Sequence, residues 1–404
     1  MVKTIRTFLN WRWIHSFLGL WCSIILFVIF LTGTLSVLGT EIDWLFTKEM
    51  RVSSEGREKV ELPIIYEAAQ AFKPDRPLVR IYRHDEAWIA DQVGYLTPSG
   101  KTRQIWVDPY SGEVTGETST QRFAETIGAF HSHFFIPTKI GIMTVSVFSL
   151  ALTGSLIAGI FLLPRFWKSF TIRPRFASNT RALSSDLHRL VGVWSIPFLA
   201  LITLSALYYF AETLKLAAPR YDIGSGTQKR ELQIREGFSG EDLSGLIAKT
   251  RAVYPELKIK TVILPRNQFQ PIRIDGDMSA TLVRERANAV YFHPETFEMR
   301  LSHKGEDLSV HQRISEAVDP LHWGYWGGLW SKVVWFFFGL LAMSLPALGA
   351  VIFAKRMGVR RSKLEGREMS GWRVYWDGMG LAKWGSILLI GAALALMMNT
   401  LLIG

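Results

Sequence analysis

Cysteine is almost absent from this sequence. Its 404 residues include one cysteine, Cys22, within a strongly apolar run. A single thiol cannot close a disulfide within the chain, and zinc sites or iron–sulfur clusters built from cysteine need several thiolates. Intrachain disulfides and thiolate-held metal centres are therefore excluded.

Charged residues are missing from five long apolar runs, although they make up 20% of the chain. The runs are 17–38, 140–163, 190–210, 333–354 and 384–404. Each reaches the roughly 20 residues with which an α-helix crosses about 30 Å of hydrocarbon. They predict an α-helical integral membrane bundle of about five transmembrane helices. A transporter usually carries ionisable groups near the bilayer centre, so transport is disfavoured.

Basic residues dominate the remaining charge, and the formal net charge is +11. Such a surplus is typical of nucleic-acid-binding proteins, but here Lys and Arg concentrate in three short segments, 3–12, 165–181 and 355–373. This is the positive-inside pattern of loops at the cytoplasmic face of a membrane. It predicts a protein embedded in a lipid bilayer, with a cytoplasmic N-terminus, an uncleaved first run and no nucleic-acid partner.

Two segments outside the membrane look like repeats of each other. Residues 62–74 and 243–257 have the apolar spacing of a helix, and strand-like stretches follow each of them. We therefore predict two outer α+β modules between the membrane helices. The predicted organisation is 1–40 (N-terminus and first membrane helix), 41–135 (first module), 136–163 (second helix), 164–186 (basic cytoplasmic loop), 187–212 (third helix), 213–330 (second module), 331–355 (fourth helix), 356–382 (second basic loop) and 383–404 (fifth helix).

Five of the nine histidines lie at boundaries of the predicted membrane helices. His15 and His188 start helices at the cytoplasmic face, whereas His131, His133 and His322 precede helices at the outer face. A single interfacial histidine commonly rests among lipid headgroups. Matched sets on both faces favour a shared role instead.

The two cytoplasmic histidines stand in the same motif. Each is followed by a glycine four residues on, Gly19 and Gly192, and by a tryptophan two residues later. Residues four apart share a helical face, so each glycine clears a flat space beside its histidine ring where a planar macrocycle could lie. Close helix packing explains a single glycine equally well.

Haem iron held by two imidazoles from different helices suits this pattern, because a porphyrin is apolar and needs no cysteine. Zinc, the competing metal, needs three or four ligands, and neither face offers such a group. Arg12 and Arg189 flank the inner histidines and could bind haem propionates, although positive-inside charge also explains them. The chain has no Cys-x-x-Cys-His attachment motif, so the haem would be b-type.

Several segments resemble the PepSY-associated transmembrane proteins of bacteria. They are DLHRLVGVWSIPF (186–198), HFFIPTKIG (133–141) with LALTG (150–154), and DPLHWGYWGG (319–328). IWVDPYSGEV (105–114) is similar to the closing strand, turn and strand of a PepSY module, and VYFHPETFEM (290–299) to a second copy without the glycine turn. The resemblance extends to about residue 356. It implies two periplasmic PepSY-like modules on a protein of the bacterial inner membrane that binds two haems b.

Residue by residue, the resemblance implies His15 and His188 as ligands of an inner haem, and His133 with His322 as ligands of an outer haem. His133 aligns with the family histidine that precedes a Phe, Ile, Pro run, and the role of His131 is left open. The fifth helix has no counterpart in the resemblance.

The function that follows from the resemblance is that of a haem-dependent oxidoreductase. It would carry electrons from an unidentified donor on the cytoplasmic side to a ferric siderophore in the periplasm, releasing Fe(II). The alternative is a membrane-anchored periplasmic PepSY protein that binds or regulates a partner without redox activity.

Overall fold

The computed structural model describes residues 2–163, 165–219, 237–266 and 270–403. The chain divides into two compact units. A helical unit comprises residues 1–39, 123–217 and 321–404, and a sheet unit comprises residues 40–122 and 218–320.

α-Helices account for most of the described chain. In chain order they are α1 (Val2–Trp21), α2 (Ser23–Val37), α3 (Gly39–Phe46), α4 (Leu62–Phe72), α5 (Phe123–His133), α6 (Thr138–Ser146), α7 (Phe148–Leu162), α8 (Thr180–Thr213), α9 (Gly240–Val253), α10 (Val310–Trp323), α11 (Gly328–Glu365), α12 (Gly371–Gly378) and α13 (Ala382–Ile403).

Four helical stretches among the described residues are long and apolar enough to cross a membrane: Thr138–Leu162, Thr180–Thr213, Gly328–Glu365 and Ala382–Leu402. Helices α1 and α2 make a fifth if they count as one span, although they are bent by 67°. The structure is therefore consistent with the predicted helical membrane protein of about five spans. The predicted run 17–38 is not one straight helix, because Cys22 leaves the helical conformation with φ −98° and ψ 0°.

Several predicted boundaries differ from the structure. Helix α5 and its histidines belong to the helical unit, which the chain enters at 123 rather than after 135. Helix α8 begins at Thr180, inside the predicted loop 164–186, where the Asn179 side chain caps it by accepting from the Ala182 N–H at 3.0 Å. Helix α11 continues past 355 until Gly366, whose φ of 65° ends it. Hydropathy marks the apolar part of a helix, not its polar ends.

The sheet unit contains one eight-stranded antiparallel sheet. Its strands are β1 (Leu78–Tyr82), β2 (Asp91–Leu96), β3 (Thr102–Val107), β4 (Val114–Ser119), β5 (Lys258–Ile263), β6 (Ile272–Asp277), β7 (Ala289–Phe292) and β8 (Met299–His303). The strand order is β4-β3-β2-β1-β5-β6-β7-β8. Each half is thus a helix followed by a four-stranded meander, and the halves join where β1 pairs with β5.

A single core holds the two halves of the sheet together. Buried apolar side chains of α4 and α9, such as Ile65 and Leu246, pack with Ile81 of β1 and Val262 of β5. Fully burying one such side chain contributes about 1.5–3 kcal/mol. The sheet unit therefore has its own hydrophobic core, shared between the halves.

The last turn of each half is built in the same way. In the first half the Asp108 side chain accepts from the Tyr110 N–H at 2.8 Å, and Gly112 adopts φ 77°. In the second half His293 Nδ1 accepts from the N–H of Glu295 at 3.2 Å, and Phe297 takes the matching position with φ 56°. The turn survives without glycine, at the cost of a left-handed phenylalanine.

Candidate functional site

The first histidine pair joins α1 to α8. The ring centroids of His15 and His188 lie 6.1 Å apart, with an angle of 74° between the ring planes. His15 Nδ1 lies 2.9 Å from the carbonyl oxygen of Ser155 on α7, and His188 Nδ1 lies 3.1 Å from that of Leu345 on α11. The pair that the motif predicts is therefore brought together by four helices.

The second pair joins α5 to α10. The ring centroids of His131 and His322 also lie 6.1 Å apart, with 36° between the planes. His131 Nδ1 lies 3.0 Å from the carbonyl oxygen of Ile29 on α2. His322 Nδ1 lies 2.8 Å from Ser205 Oγ on α8, whose own proton is directed to backbone carbonyls one turn earlier. In both pairs, the Nδ1 atom of each ring thus contacts an oxygen atom of a further helix.

Hydrogen bonding sets the tautomer of these rings. A carbonyl oxygen can only accept, so Nδ1 of His15, His188 and His131 carries the proton and donates it. The other nitrogen, Nε2, is then left with a lone pair, which is the form in which histidine ligates a metal. Second-shell hydrogen bonds of this kind are typical of metal-ligating histidines.

The ring spacing fits one metal ion between each pair. A bond from a metal to an imidazole nitrogen is about 2 Å long, and the ring centroid lies roughly 1 Å beyond that nitrogen. With centroids 6.1 Å apart, the two rings of each pair are therefore close enough for one metal ion to be bound by both imidazoles. No cluster of three or more His, Cys, Asp or Glu side chains with metal-binding geometry occurs among the described residues.

Three of the four paired histidines face a glycine. In each case the glycine lies one helical turn after the residue whose carbonyl oxygen the histidine contacts. A Cβ on Gly159 would lie 3.5 Å from the His15 ring, and one on Gly349 would lie 3.8 Å from the His188 ring. A Cβ on Gly33 would lie 2.7 Å from the His131 ring, closer than real Cβ atoms come. Sequence reasoning missed these three glycines. Their signal is a glycine in mid-span, which on its own also indicates simple helix packing.

His133 does not join the second pair. Its ring contacts Phe135 at a centroid distance of 6.2 Å, and its Nδ1 is buried without a hydrogen-bond partner among the described residues. Residues two apart on a helix point to different sides, and α5 turns His131 toward His322. The structure therefore brings His131, rather than the predicted His133, next to His322.

Aromatic rings surround the second pair. The Trp323 ring lies 6.1 Å from that of His131 and 6.4 Å from that of His322, and the Tyr209 ring lies 5.2 Å from that of His322. Trp326 and Trp330, which follow in the same aromatic segment, are exposed. Only part of that segment therefore contacts the histidines.

The remaining predicted site residues occupy different settings. A Cβ on Gly19 would meet no atom within 4 Å, whereas one on Gly192 would lie 3.8 Å from the Leu345 side chain. Arg12 is exposed. Arg189 forms an ion pair with Asp186 at 3.5 Å, a partner one turn earlier on α8. Of the two arginines, Arg189 is thus already engaged by a carboxylate.

Comparison with known families matches residues 12–356 to the PepSY-associated TM region. The chain belongs to this family. The match covers all four paired histidines and confirms the family that the sequence segments indicated. It ends within α11, so α12 and α13 of this PepSY-associated protein lie outside the matched residues. A comparison with curated proteins finds no match.

Proposed function

We propose that this PepSY-associated protein is a di-haem b oxidoreductase of the bacterial inner membrane. It takes electrons from a donor on the cytoplasmic side and passes them to a ferric siderophore in the periplasm. The observation that supports this most directly is the repeated geometry of the two histidine pairs: equal ring spacing, helices on both sides, and Nδ1 engaged in at least three of the four rings by a backbone carbonyl.

In this proposal His15 and His188 hold the inner haem, and His131 and His322 hold the outer one. Bound haem supplies one-electron chemistry at its iron. The contribution of the chain is to hold the Nε2 atoms in place, to raise the basicity of the imidazoles through their Nδ1 hydrogen bonds, and to exclude water. No acid, base or nucleophile is needed, because one electron reduces Fe(III) to Fe(II) and a siderophore binds Fe(II) far more weakly.

The positive-inside pattern supports the orientation. Lys and Arg concentrate near the start of α1, before and into α8, and after the apolar part of α11. We place these segments in the cytoplasm and the sheet unit, as two PepSY-like modules, in the periplasm. His15 and His188 are then on the inner side and His131 and His322 on the outer side.

The deciding experiment is a pyridine-haemochrome assay on the purified full-length protein, combined with redox difference spectra. The proposal predicts two b haems per chain and reoxidation of the reduced protein by a ferric siderophore. Protein without haem would overturn it and favour a membrane-anchored PepSY protein that binds or regulates a partner. Haem that survives acid-acetone extraction would contradict the b-type assignment.

A further inference from the structure

Helix α12 folds back onto α11 through a close glycine contact. A Cβ on Gly358 of α11 would lie 2.8 Å from the Cα of Gly371, so any side chain at either position would separate the helices. The Met369 N–H donates to Ser362 Oγ at 2.8 Å and closes the connection. This places α12, which lies outside the matched family residues, at a defined position on the helical unit.

Tyr375 of α12 reaches the bend between α1 and α2. Its hydroxyl is 2.7 Å from Ser23 Oγ, the first residue of α2, in a buried hydrogen bond. Ser23 Oγ in turn donates to the carbonyl oxygen of Leu20 at 2.8 Å, so Tyr375 is the donor of the pair. In a continuous helix that carbonyl would accept from the N–H of Ile24. Ser23 Oγ therefore satisfies the Leu20 carbonyl oxygen at the bend, and the Tyr375 hydroxyl in turn satisfies Ser23 Oγ.

Apolar contacts reinforce this arrangement on both sides of the bend. Tyr375 and Met379 are buried in one cluster with Leu20 of α1 and Ile24 of α2. A Cβ on Gly378 would lie 3.4 Å from the Leu20 side chain, so α12 also approaches α1 closely. The bend is thus packed against α12, a helix that is distant from it in the sequence.

The bend lies seven residues, or about two helical turns, beyond His15. Fixing its angle fixes the direction of α1 and hence the position of the His15 ring against α7. We propose that Tyr375 is a positioning residue that holds the α1–α2 bend and thereby sets the placement of His15. The part of the proposal that concerns the bend stands on the contacts alone, and the part that concerns His15 as a ligand rests on the proposed function.

Cys22 provides a built-in probe, because it is the only cysteine of the chain and lies at the bend itself. The experiment measures the rate at which N-ethylmaleimide alkylates Cys22 in the full-length protein in native membranes. Tyr375→Phe removes the hydroxyl and keeps the ring. Without this buried hydrogen bond, the equilibrium between the packed and the opened bend should shift about tenfold toward the opened form. We therefore expect alkylation of Cys22 to become about tenfold faster.

Ser23→Ala removes this hydrogen bond and the one to the Leu20 carbonyl oxygen, so it should accelerate alkylation at least as much, and the double variant should react no faster than Ser23→Ala alone. Asp377→Asn, on the same helix but exposed, is the matched control and should react like the wild type. Wild-type rates in both Tyr375→Phe and Ser23→Ala would overturn the proposal. Should Tyr375→Phe fail to accumulate in the membrane, Ser23→Ala alone decides.

The link to His15 needs a readout that a purely structural role would not change. In a His131→Ala background, which leaves only the inner pair, Tyr375→Phe should alter the low-spin EPR signal of the haem. The same substitution in a His15→Ala background should leave the outer signal unchanged. Faster alkylation with an unchanged inner signal would overturn the positioning role. Protein that lacks haem altogether would refute the proposed function and leave the alkylation result standing.

Discussion

His188 donates a hydrogen bond from Nδ1 to the Leu345 carbonyl oxygen, 3.1 Å away on α11. One helical turn beyond Leu345, Gly349 lies against the same imidazole ring. The carbonyl fixes the tautomer of the ring, and the glycine leaves room for it between the helices. The position and tautomer of the His188 ring therefore depend on the surface of α11 that it faces.

His131 and His133 offer a direct comparison at the second pair. We expect His131→Ala to halve the haem content, because it removes the side chain that faces His322. His133→Ala should keep both haems, since its ring contacts Phe135 instead. Pyridine-haemochrome titration of both variants, with the wild type alongside, measures this. Loss of haem in His133→Ala but not in His131→Ala would restore the assignment made from the sequence.

The two pairs should behave as independent sites. His15→Ala and His188→Ala should each remove the inner haem, and the double variant should lose no more, because the site is already gone. Combining His15→Ala with His322→Ala should remove both haems, as expected for separate sites. Haem content together with redox titration distinguishes the classes. Two full haems with unchanged spectra in both His15→Ala and His188→Ala would eliminate the inner site.

Bulk at Gly159 should displace the ring it faces. Even a Cβ at this position would lie 3.5 Å from the His15 imidazole, and the rest of a leucine side chain would extend into the space of that ring. We therefore expect Gly159→Leu to lose the inner haem and to retain the outer one, as measured by haem content and redox spectra. Gly385→Leu on α13 is the control, since a Cβ there meets nothing within 4 Å. Normal inner haem in Gly159→Leu would show that α7 does not confine His15.

Asp85 should stabilise the sheet unit in a pH-dependent way. It pairs with Lys258 at 2.7 Å and with buried Lys260. Burial alone would raise the pKa of Asp85, but the two lysines outweigh it and hold that pKa below its ordinary 3.8. A lowered pKa means that this stabilisation is present above about pH 4 and is lost as the pH falls through the folded-state value. Asp85→Asn should therefore cost roughly 1 kcal/mol at neutral pH, a modest amount because the carboxylate is half-exposed.

The measurement is thermal unfolding of the detergent-solubilised full chain between pH 7 and pH 3, followed by circular dichroism of the sheet signal. The difference between wild type and Asp85→Asn should shrink as the pH falls. Asp75→Asn serves as the control, because it removes a carboxylate at an exposed loop position. A difference that stays constant across this pH range would contradict the expectation.

Local patterns were enough to predict most of the fold. The apolar runs mark the spans, and the helix and strand stretches around 62–114 and 243–299 are present as α4, α9 and the β-strands between and after them. The bend at Cys22 could not be predicted, because the run 17–38 is uniformly apolar and the contact that accompanies the bend comes from Tyr375, 352 residues away from Ser23. The joining of β1 to β5 is likewise a long-range pairing that no local signal encodes.

For the candidate site, too, local patterns predicted one part, and long-range packing determines the rest. The repeated motif around His15 and His188 predicted a pair that the structure brings together. The choice between His131 and His133 depends on how α5 is rotated about its axis, and that rotation is set by its packing on α2, where Gly33 admits the His131 ring. Two candidate residues at i and i+2 cannot be separated by spacing alone.

The central pairing of β1 with β5 makes the sheet unit equivalent to a homodimer whose two subunits have been fused into one polypeptide. Either half alone would end in an unprotected strand with a row of free backbone donors and acceptors, which is a template for self-association. Because both halves are in one chain, that strand has a pairing partner in the same polypeptide. It also releases the two copies from identity, so that one can keep Gly112 in its last turn while the other carries Phe297.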